Sequence, residues 1–289
     1  MNAFSRSWMI TKLSFGVINK DRELLLFSLL AFLFSAAFSV AMIFPTVVPT
    51  LMEKGLSKDA MQTYQYAILF VTYFGLAFIA TFFNVCVVYT TKIRFEGGNA
   101  TFGESLKFAF SKIGLIAKWS LLSASVGLLF RIIQNLAAQL GKAGQIIVNI
   151  LVGLLGMAWS IMSIFVIPVL VYEGLGPIDA LKKSAQIIKE TWGESLIRAI
   201  GLGLMSFLTF LLVIAASFGI TYLLASAFEG TGILIGIGIG VVLLFLTYFV
   251  FSLANTIFNT ALYVYANDKI IASGYNEEVM KGAFKEKRK

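Results

Sequence analysis

The side chains that could do chemistry in this chain are a few polar residues inside long apolar stretches. Arg131 stands in such a stretch, where a charge near the bilayer centre costs about 2.5–3.5 kcal/mol on insertion scales. Asn135 and Gln139 share a helical face with Arg131. Gln145 and Asn149 share a second face. These groups can form hydrogen bonds in apolar surroundings, and the whole candidate set is Arg131, Gln134, Asn135, Gln139, Gln145, Asn149, Asn84 and Asn259.

Two interpretations of the residues around Arg131 stay open. They form a polar outer hairpin that touches headgroups or water, because Arg131 lies roughly 18 Å beyond Trp119 along a helix and can snorkel to the interface. Alternatively, they line a vestibule or an interaction surface for a solute, a lipid or a partner. Asn84 and Asn259 are expected to form interhelical hydrogen bonds, with a substrate contact as the alternative, because a buried amide in lipid needs partners.

The sequence offers no catalytic constellation. It has no histidine, which removes the commonest general base and metal ligand. Its single cysteine, Cys86, rules out an intrachain disulfide and is expected to be a small buried residue. No phosphate-binding loop, dinucleotide fingerprint, zinc spacing or nucleophile elbow is present. We therefore predict a protein that is not an enzyme, with no catalytic residue, cofactor or metal site.

Three glycines recur at every fourth position in the last apolar stretch. Gly232, Gly236 and Gly240 lie on one helical face. Small residues at this spacing let helices approach closely in lipid, so the pattern predicts helix packing within or between subunits. A hinge that lines a pore is the alternative.

Six apolar stretches must position these residues. Apolar residues make up 58% of the 289 residues and charged residues only 13%, whereas soluble domains carry about 25% charged residues. A helix needs about 20 apolar residues to cross a bilayer. The sequence therefore predicts an all-α integral membrane protein with spans at 24–49, 64–91, 118–138, 146–172, 196–227 and 233–266.

The positive charges predict the orientation of these spans. Of the 23 Lys and Arg residues, 19 flank the spans on one side, and the others are Lys54, Lys58, Arg131 and Lys142. The positive-inside rule then places both termini in the cytoplasm. The net charge of +8 suits anionic lipids of the cytoplasmic leaflet. Nucleic acid is not expected as a partner, because the basic residues form no separate domain.

Short amphipathic segments precede pairs of spans. Gly176-Pro177 opens one segment. A capping box, Thr101 to Glu104, opens another, and residues 4–19 are a third candidate. The predicted apolar faces are Ile178, Leu181, Ala185, Ile188 and Trp192 in the first of these, and Phe102, Leu106, Phe110 and Ile113 in the second.

This arrangement predicts three parallel repeats, each an amphipathic cytoplasmic helix followed by a transmembrane hairpin. The repeats cover about 1–95, 96–172 and 173–268 of a single membrane domain, 1–289, and a basic cytoplasmic tail follows at 269–289. Thr72-Tyr73-Phe74 recurs as Thr247-Tyr248-Phe249. Phe95-Glu96-Gly97 is echoed by Tyr172-Glu173-Gly174.

One segment resembles a known family. The stretch from Glu173-Gly174 through Ala180 and Ser184 to Trp192 is similar to a cytoplasmic motif of uncharacterised prokaryotic multi-span membrane proteins. They include the membrane domain found fused to glycerophosphodiester phosphodiesterases. Ser7-Trp8 with Lys12 resembles another copy of the motif. The resemblance implies the fold type and the prokaryotic cytoplasmic (inner) membrane, but no activity, because the catalytic domain is absent here.

Together these features predict a non-enzymatic integral membrane protein that binds lipid, partner proteins or both. It would act as a homo-oligomer or a membrane scaffold, with anionic lipids at its cytoplasmic face. The alternative is a passive channel, or a transporter of lipids or small solutes, with a polar outer vestibule.

Overall fold

The computed structural model describes residues 12, 14–18, 21, 23–51, 58–192, 201–268 and 271. Most of the predicted amphipathic helix at 4–19, including the Ser7-Trp8 motif, lies outside the described residues. The predicted basic tail at 269–289 does so too, apart from residue 271.

The described chain is helical. We number the helices α1 to α8 in chain order, and a 3₁₀ turn, Ala138–Leu140, joins α4 to α5. No strand occurs in the described ranges, which confirms the all-α prediction. The helices are α1 Glu23–Leu51, α2 Lys58–Phe95, α3 Phe102–Ser111, α4 Ile113–Ala137, α5 Gly141–Met162, α6 Val166–Tyr172, α7 Pro177–Trp192 and α8 Gly201–Asp268.

Six segments are long and apolar enough to cross a membrane, which confirms a membrane protein. The third and fourth begin earlier than predicted, at Ile113 and Gly141 instead of 118 and 146. The fourth comprises α5, a short break and α6. The six are Glu23–Pro45, Thr63–Phe95, Ile113–Ala137, Gly141–Tyr172, Ser206–Phe228 and Gly230–Asn267.

The helix α8 contains two spans that pack against each other. A Cβ added at Gly232 would collide with the carbonyl of Leu224. Residues eight positions apart in a straight helix are about 12 Å apart, so the chain reverses between them. Beyond the reversal, a Cβ at Gly236 would lie 2.5 Å from Thr221 Cα, and one at Gly240 would lie 3.0 Å from Ser217 Cβ. The structure thus places the glycine face in a contact inside this helical hairpin.

The chain divides into two compact units, each described here by itself. The first unit is Met1–Leu25, Thr91–Asn99 and Lys189–Lys289, and the second is Leu26–Thr90 and Ala100–Ile188. Within the first, Phe15 meets Phe251 edge to face at 6.4 Å between ring centroids. The end of α8, around Ile257 and Tyr263, is buried.

In the second unit, burial is concentrated where the short helices α3 and α7 lie. Phe27 stacks on Phe102 with 4.9 Å between ring centroids, and Trp119 stacks on Trp159 at 5.6 Å. By contrast, Val152 is the only buried residue among the described side chains of α5. The exposed apolar side chains of such spans suit contact with lipid.

A tyrosine compensates for a proline near the other end of this unit. Pro49 has no N–H, so the carbonyl of Pro45 loses its helical partner. Tyr64 Oη donates a hydrogen bond to that carbonyl at 2.8 Å. The bond joins α1 to α2 where a carbonyl would otherwise be unpaired.

The glycine contact in α8 gives a first prediction. Gly236→Ala is expected to destabilise the protein by about 1–3 kcal/mol, because the new methyl group meets the Thr221 backbone. Thermal unfolding in mild detergent measures the effect. Gly238→Ala is the matched control, since no atom lies within 4 Å of the added Cβ. Equal unfolding midpoints for the two variants would contradict the packing.

Candidate interfacial site

The start of α3 is fixed by its capping box. Glu104 N–H donates to Thr101 Oγ1 at 3.3 Å, and Thr101 N–H donates to Glu104 Oε2 at 2.8 Å. These bonds satisfy two backbone donors at the helix start, as the sequence predicted. The bond from the Thr101 backbone lowers the pKa of the Glu104 carboxyl, so its charge persists well below neutral pH.

Two pairs of small residues seat the short helices within the second unit. Ser105 and Ala109 in α3, and Ala180 and Ser184 in α7, are fully buried. Each pair is spaced by four residues and lies on one helical face. Because these side chains are small, the helix backbones can approach the spans closely. We call these four residues the docking pairs.

Each docking pair contributes one buried hydrogen bond. The hydroxyl groups of Ser105 and Thr90 lie 2.7 Å apart and are bonded to each other, which joins α3 to α2. Ser184 Oγ accepts a hydrogen bond from the backbone N–H of Phe165 at 3.0 Å, which joins α7 to the fourth span. A buried polar group without such a partner costs about 1–3 kcal/mol.

The predicted apolar faces of the short helices are only partly buried: Ile188 is buried and Phe102 is half-buried. Phe110 and Ile113 are 58% and 44% exposed, and Ile178 is 59% exposed. The apolar stripe of a helix predicts which side of the helix avoids water. In a membrane this side can contact either lipid or protein, because both are apolar. The structure turns the small residues toward protein and leaves several large apolar residues on the outside. The four-residue spacing of small side chains was the signal that could have identified the docking pairs.

Aromatic rings hold α3 in place beside its docking pair. Phe108 stacks on Tyr89 with 4.4 Å between ring centroids and lies 5.9 Å from the ring of Tyr172. The ammonium of Lys112 stands 5.7 Å above the Phe108 ring. Such a cation–π contact adds about 0.5–1 kcal/mol at exposed sites. The ring cluster therefore connects α2, α3 and α6.

The remaining side of α3 and α7 carries exposed positive charge. Lys107 and Lys182 are exposed, as is Lys118 near the start of α4. Lys182 Nζ lies 3.5 Å from Asp179 Oδ1, but both side chains are mostly in solvent. An exposed pair of this kind is worth little and leaves the lysine free to meet an anion. The two short helices thus present a docking side, an exposed apolar side and a basic side.

The first unit has an ion pair of its own. Arg94, at the end of α2, donates from Nε and Nη2 to the buried carboxylate of Asp21. Arg94 Nη2 also donates to Asn99 Oδ1 at 2.7 Å. Bidentate pairing fixes the guanidinium plane. Removal of the arginine would leave a buried carboxylate without its cation, which is strongly destabilising.

The predicted polar set around Arg131 lies at the tip of the α4–α5 hairpin. Arg131 is exposed and stands six residues before the end of α4, about 9 Å along the helix. Asn135 Nδ2 donates to Tyr66 Oη at 3.4 Å, a long bond that joins α4 to α2. Of the other members, Gln134 is half-buried, whereas Asn135, Gln139, Gln145 and Asn149 are exposed.

The two predicted asparagines, Asn84 and Asn259, belong to different units of the chain. Asn84 is half-buried in the second unit, and Asn259 is half-buried in the first. Their interhelical role stays a prediction. Among the residues placed by the structure, no group of three His, Cys, Asp or Glu could hold a metal ion.

Comparison with known proteins gives one family. A family model described as a family of unknown function (DUF6159) matches residues 63–273, which covers most of the chain, from α2 to just beyond α8. No curated protein matches the chain. Nothing in the match connects the chain to the membrane domain fused to glycerophosphodiester phosphodiesterases.

The docking of α3 gives a second prediction. Ser105→Val is expected to destabilise the protein by about 1–3 kcal/mol, because the bond to Thr90 is lost and a larger side chain enters a filled space. Chemical unfolding in mild detergent measures the change. Ser111→Val is the control on the exposed side of the same helix, with an expected effect of about 0.5 kcal/mol or less. A neutral Ser105→Val would refute the docking role.

Proposed function

The chain belongs to DUF6159, a family of unknown function, and we propose that it is a non-enzymatic integral membrane protein that binds anionic lipid. It would bind these lipids at its cytoplasmic face and assemble with further copies of itself or with another membrane protein. A role as a membrane scaffold follows from these two properties.

The single observation that carries this proposal is the three-sided form of α3 and α7. Their docking pairs are buried, Phe110 and Ile178 are exposed, and Lys107 and Lys182 are exposed beside them. An interfacial helix needs this combination, because its apolar side enters the acyl region while its basic side meets headgroups. Each lysine near an anionic surface contributes about 1 kcal/mol.

The orientation and the repeats are part of the proposal. The excess of positive charge on one side supports cytoplasmic termini and a cytoplasmic position for α3 and α7. The prokaryotic inner membrane rests on the family resemblance of residues 173–192. Gly97 and Gly174 support the repeats, because each lies two residues past a helix end with positive φ, 86° and 67°. An amphipathic helix follows each of them. The resemblance to the membrane domain found fused to glycerophosphodiester phosphodiesterases remains part of this proposal. The phosphodiesterase activity is not part of it.

Assembly with a second copy or a partner is supported by the small number of buried residues in the fifth span and in the first part of the sixth. No residue of the span Ser206–Phe228 is buried, and in residues 230–250 of the next span only Gly232, Gly236 and Gly240 are buried. Lipid can cover such surfaces, and so can another membrane helix. The number of protein copies in one lipid nanodisc distinguishes cover by lipid from cover by a second copy of the chain.

The lipid preference gives a third prediction. Replacing Lys107, Lys118 and Lys182 together by Gln should lower the preference for phosphatidylglycerol over phosphatidylcholine by up to about 100-fold, at about 1 kcal/mol for each lost charge. Native mass spectrometry of protein from mixed-lipid nanodiscs measures the retained lipids and the number of copies.

Lys142→Gln is the matched control, because Lys142 is exposed beside the 3₁₀ turn at the far end of the α4–α5 hairpin. The same loss of preference in this control, or none in the triple variant, would contradict the lipid site. A strictly single copy without any retained partner would contradict assembly.

A channel or transporter is the second candidate function. The observation that favours it is Arg131, whose side chain is exposed at a hairpin tip and forms no hydrogen bond or ion pair with the described residues. Such a cation beside Asn135 could attract an anionic solute or a lipid headgroup.

Flux gives a fourth prediction, specific to this alternative. If the Arg131 set lines a path, the double variant Arg131→Leu and Asn135→Leu should lower proteoliposome flux of anions or labelled lipids at least tenfold. Lys142→Gln serves again as control, because it removes a nearby charge outside the set. Equal flux for the wild type and protein-free liposomes would eliminate the alternative.

A further inference from the structure

The fourth span is interrupted between α5 and α6. Residues 163–165 form a tightened turn in which Ile164 N–H donates to the Ile161 carbonyl at 3.2 Å and Val166 N–H to the Ser163 carbonyl at 3.2 Å. Phe165 has φ −105° and ψ 8°, outside the α-helical region. Pro168 contributes to the break, because it lacks the N–H that would pair with the Ile164 carbonyl.

The N–H of Phe165 leaves its helical acceptor at this break. In a continuous helix it would bond the carbonyl of Ile161, but here it donates to Ser184 Oγ at 3.0 Å. Phe165 and Ser184 are both fully buried, so water cannot replace the serine. Irregular backbone inside an apolar span persists only where protein or water supplies its hydrogen bonds. The break therefore depends on a residue from α7.

The alternative without this bond is a helix that continues through residues 163–165 and is kinked where the ring of Pro168 meets the carbonyl of Ile164. If residues 163–165 rewind, Phe165 N–H can bond Ile161, Val166 N–H can bond Met162, and the carbonyl of Ile164 alone stays without its helical partner. A continuous helix would therefore satisfy all but one of these backbone groups. The seat of α7, formed by the buried residues Ala180, Ser184 and Ile188, supplies the acceptor that the broken form needs.

We propose that α7 is a conformational latch: the fourth span stays broken while α7 is seated, and it rewinds when α7 leaves. The device does not depend on lipid binding, because it rests on the buried bond between Ser184 and Phe165. A lipid or a partner that moves α7 would act through it.

The effect of the latch reaches α2 and α3. Rewinding turns α6 about the axis of the span, and Tyr172 lies at the end of α6. Tyr172 contacts the Phe108 ring and donates to the Val88 carbonyl at 3.5 Å. A movement of α7 is thereby passed to the ring cluster that holds α3, within the same unit.

Backbone chemical shifts of Phe165 test the latch, which is the fifth prediction. Full-length protein in nanodiscs is labelled with ¹³C′-isoleucine and ¹³C,¹⁵N-phenylalanine for solid-state NMR. Only three Ile–Phe bonds then give signals, at Ile43-Phe44, Ile164-Phe165 and Ile257-Phe258. In the wild type, the Cα shift of Phe165 should report non-helical dihedral angles. In Ser184→Ala it should move to the value of a regular helix.

Ser120→Ala is the matched control. Ser120 is also fully buried, but its hydroxyl donates to the Ile116 carbonyl of its own helix at 2.8 Å. This variant should leave the Phe165 signal unchanged. A Phe165 signal that is identical in the wild type and in Ser184→Ala would overturn the latch, and so would an equal shift in Ser120→Ala.

Pro168→Ala decides the question if Ser184→Ala does not fold. This variant restores the N–H that Ile164 lacks as a partner, so the continuous form gains a hydrogen bond and competes with the bond between Phe165 and Ser184 that the latch must release. The Phe165 signal should move toward the helical value. An unchanged signal in Pro168→Ala would show that the break has no helical alternative and would overturn the proposal. Neither result depends on the lipid preference of the lysines.

Discussion

The structure depends on one constraint: each backbone N–H and carbonyl in apolar surroundings needs a hydrogen-bond partner. Long helices satisfy most of these groups, and the exceptions show how strict the constraint is. Where Pro49 deprives a carbonyl of its donor, Tyr64 supplies one. Where the fourth span is broken, Ser184 supplies the acceptor for Phe165. The side chains that matter most for the architecture are therefore hydroxyl groups at helix irregularities.

Close approach between helix backbones depends on small residues at several contacts. In lipid, a large apolar side chain gains little by moving from acyl chains to protein, so contact is favoured where backbones can approach. Gly232, Gly236 and Gly240 do this inside α8, and the docking pairs do it for the short helices. Several larger apolar side chains of the short helices, such as Phe110 and Ile178, then remain outside, where they can enter the membrane.

The contrast between buried small residues and exposed large ones connects the packing to the proposed function. A short helix that is seated by small residues keeps both its exposed apolar side and its lysines available for the membrane surface. Phe110 beside Lys107 and Ile178 beside Lys182 show this pairing on α3 and α7. In α7 the buried Ser184 also accepts the hydrogen bond of Phe165 at the break of the fourth span. A movement of α7 at the membrane surface would therefore change the fourth span.

The sequence by itself determined the helical class, the six apolar segments and the capping box at Thr101, because length, hydropathy and local hydrogen bonding are properties of neighbouring residues. The sequence located the glycine face but not the residues that this face contacts. Only the tertiary structure decided that the glycines meet Ser217 and Thr221, that Ser105 and Ser184 are buried while Phe110 is exposed, and that the Arg131 set lies at an exposed tip. Hydropathy cannot separate a lipid-facing from a protein-facing side chain, since both surroundings are apolar, and only the contacts of distant residues distinguish them.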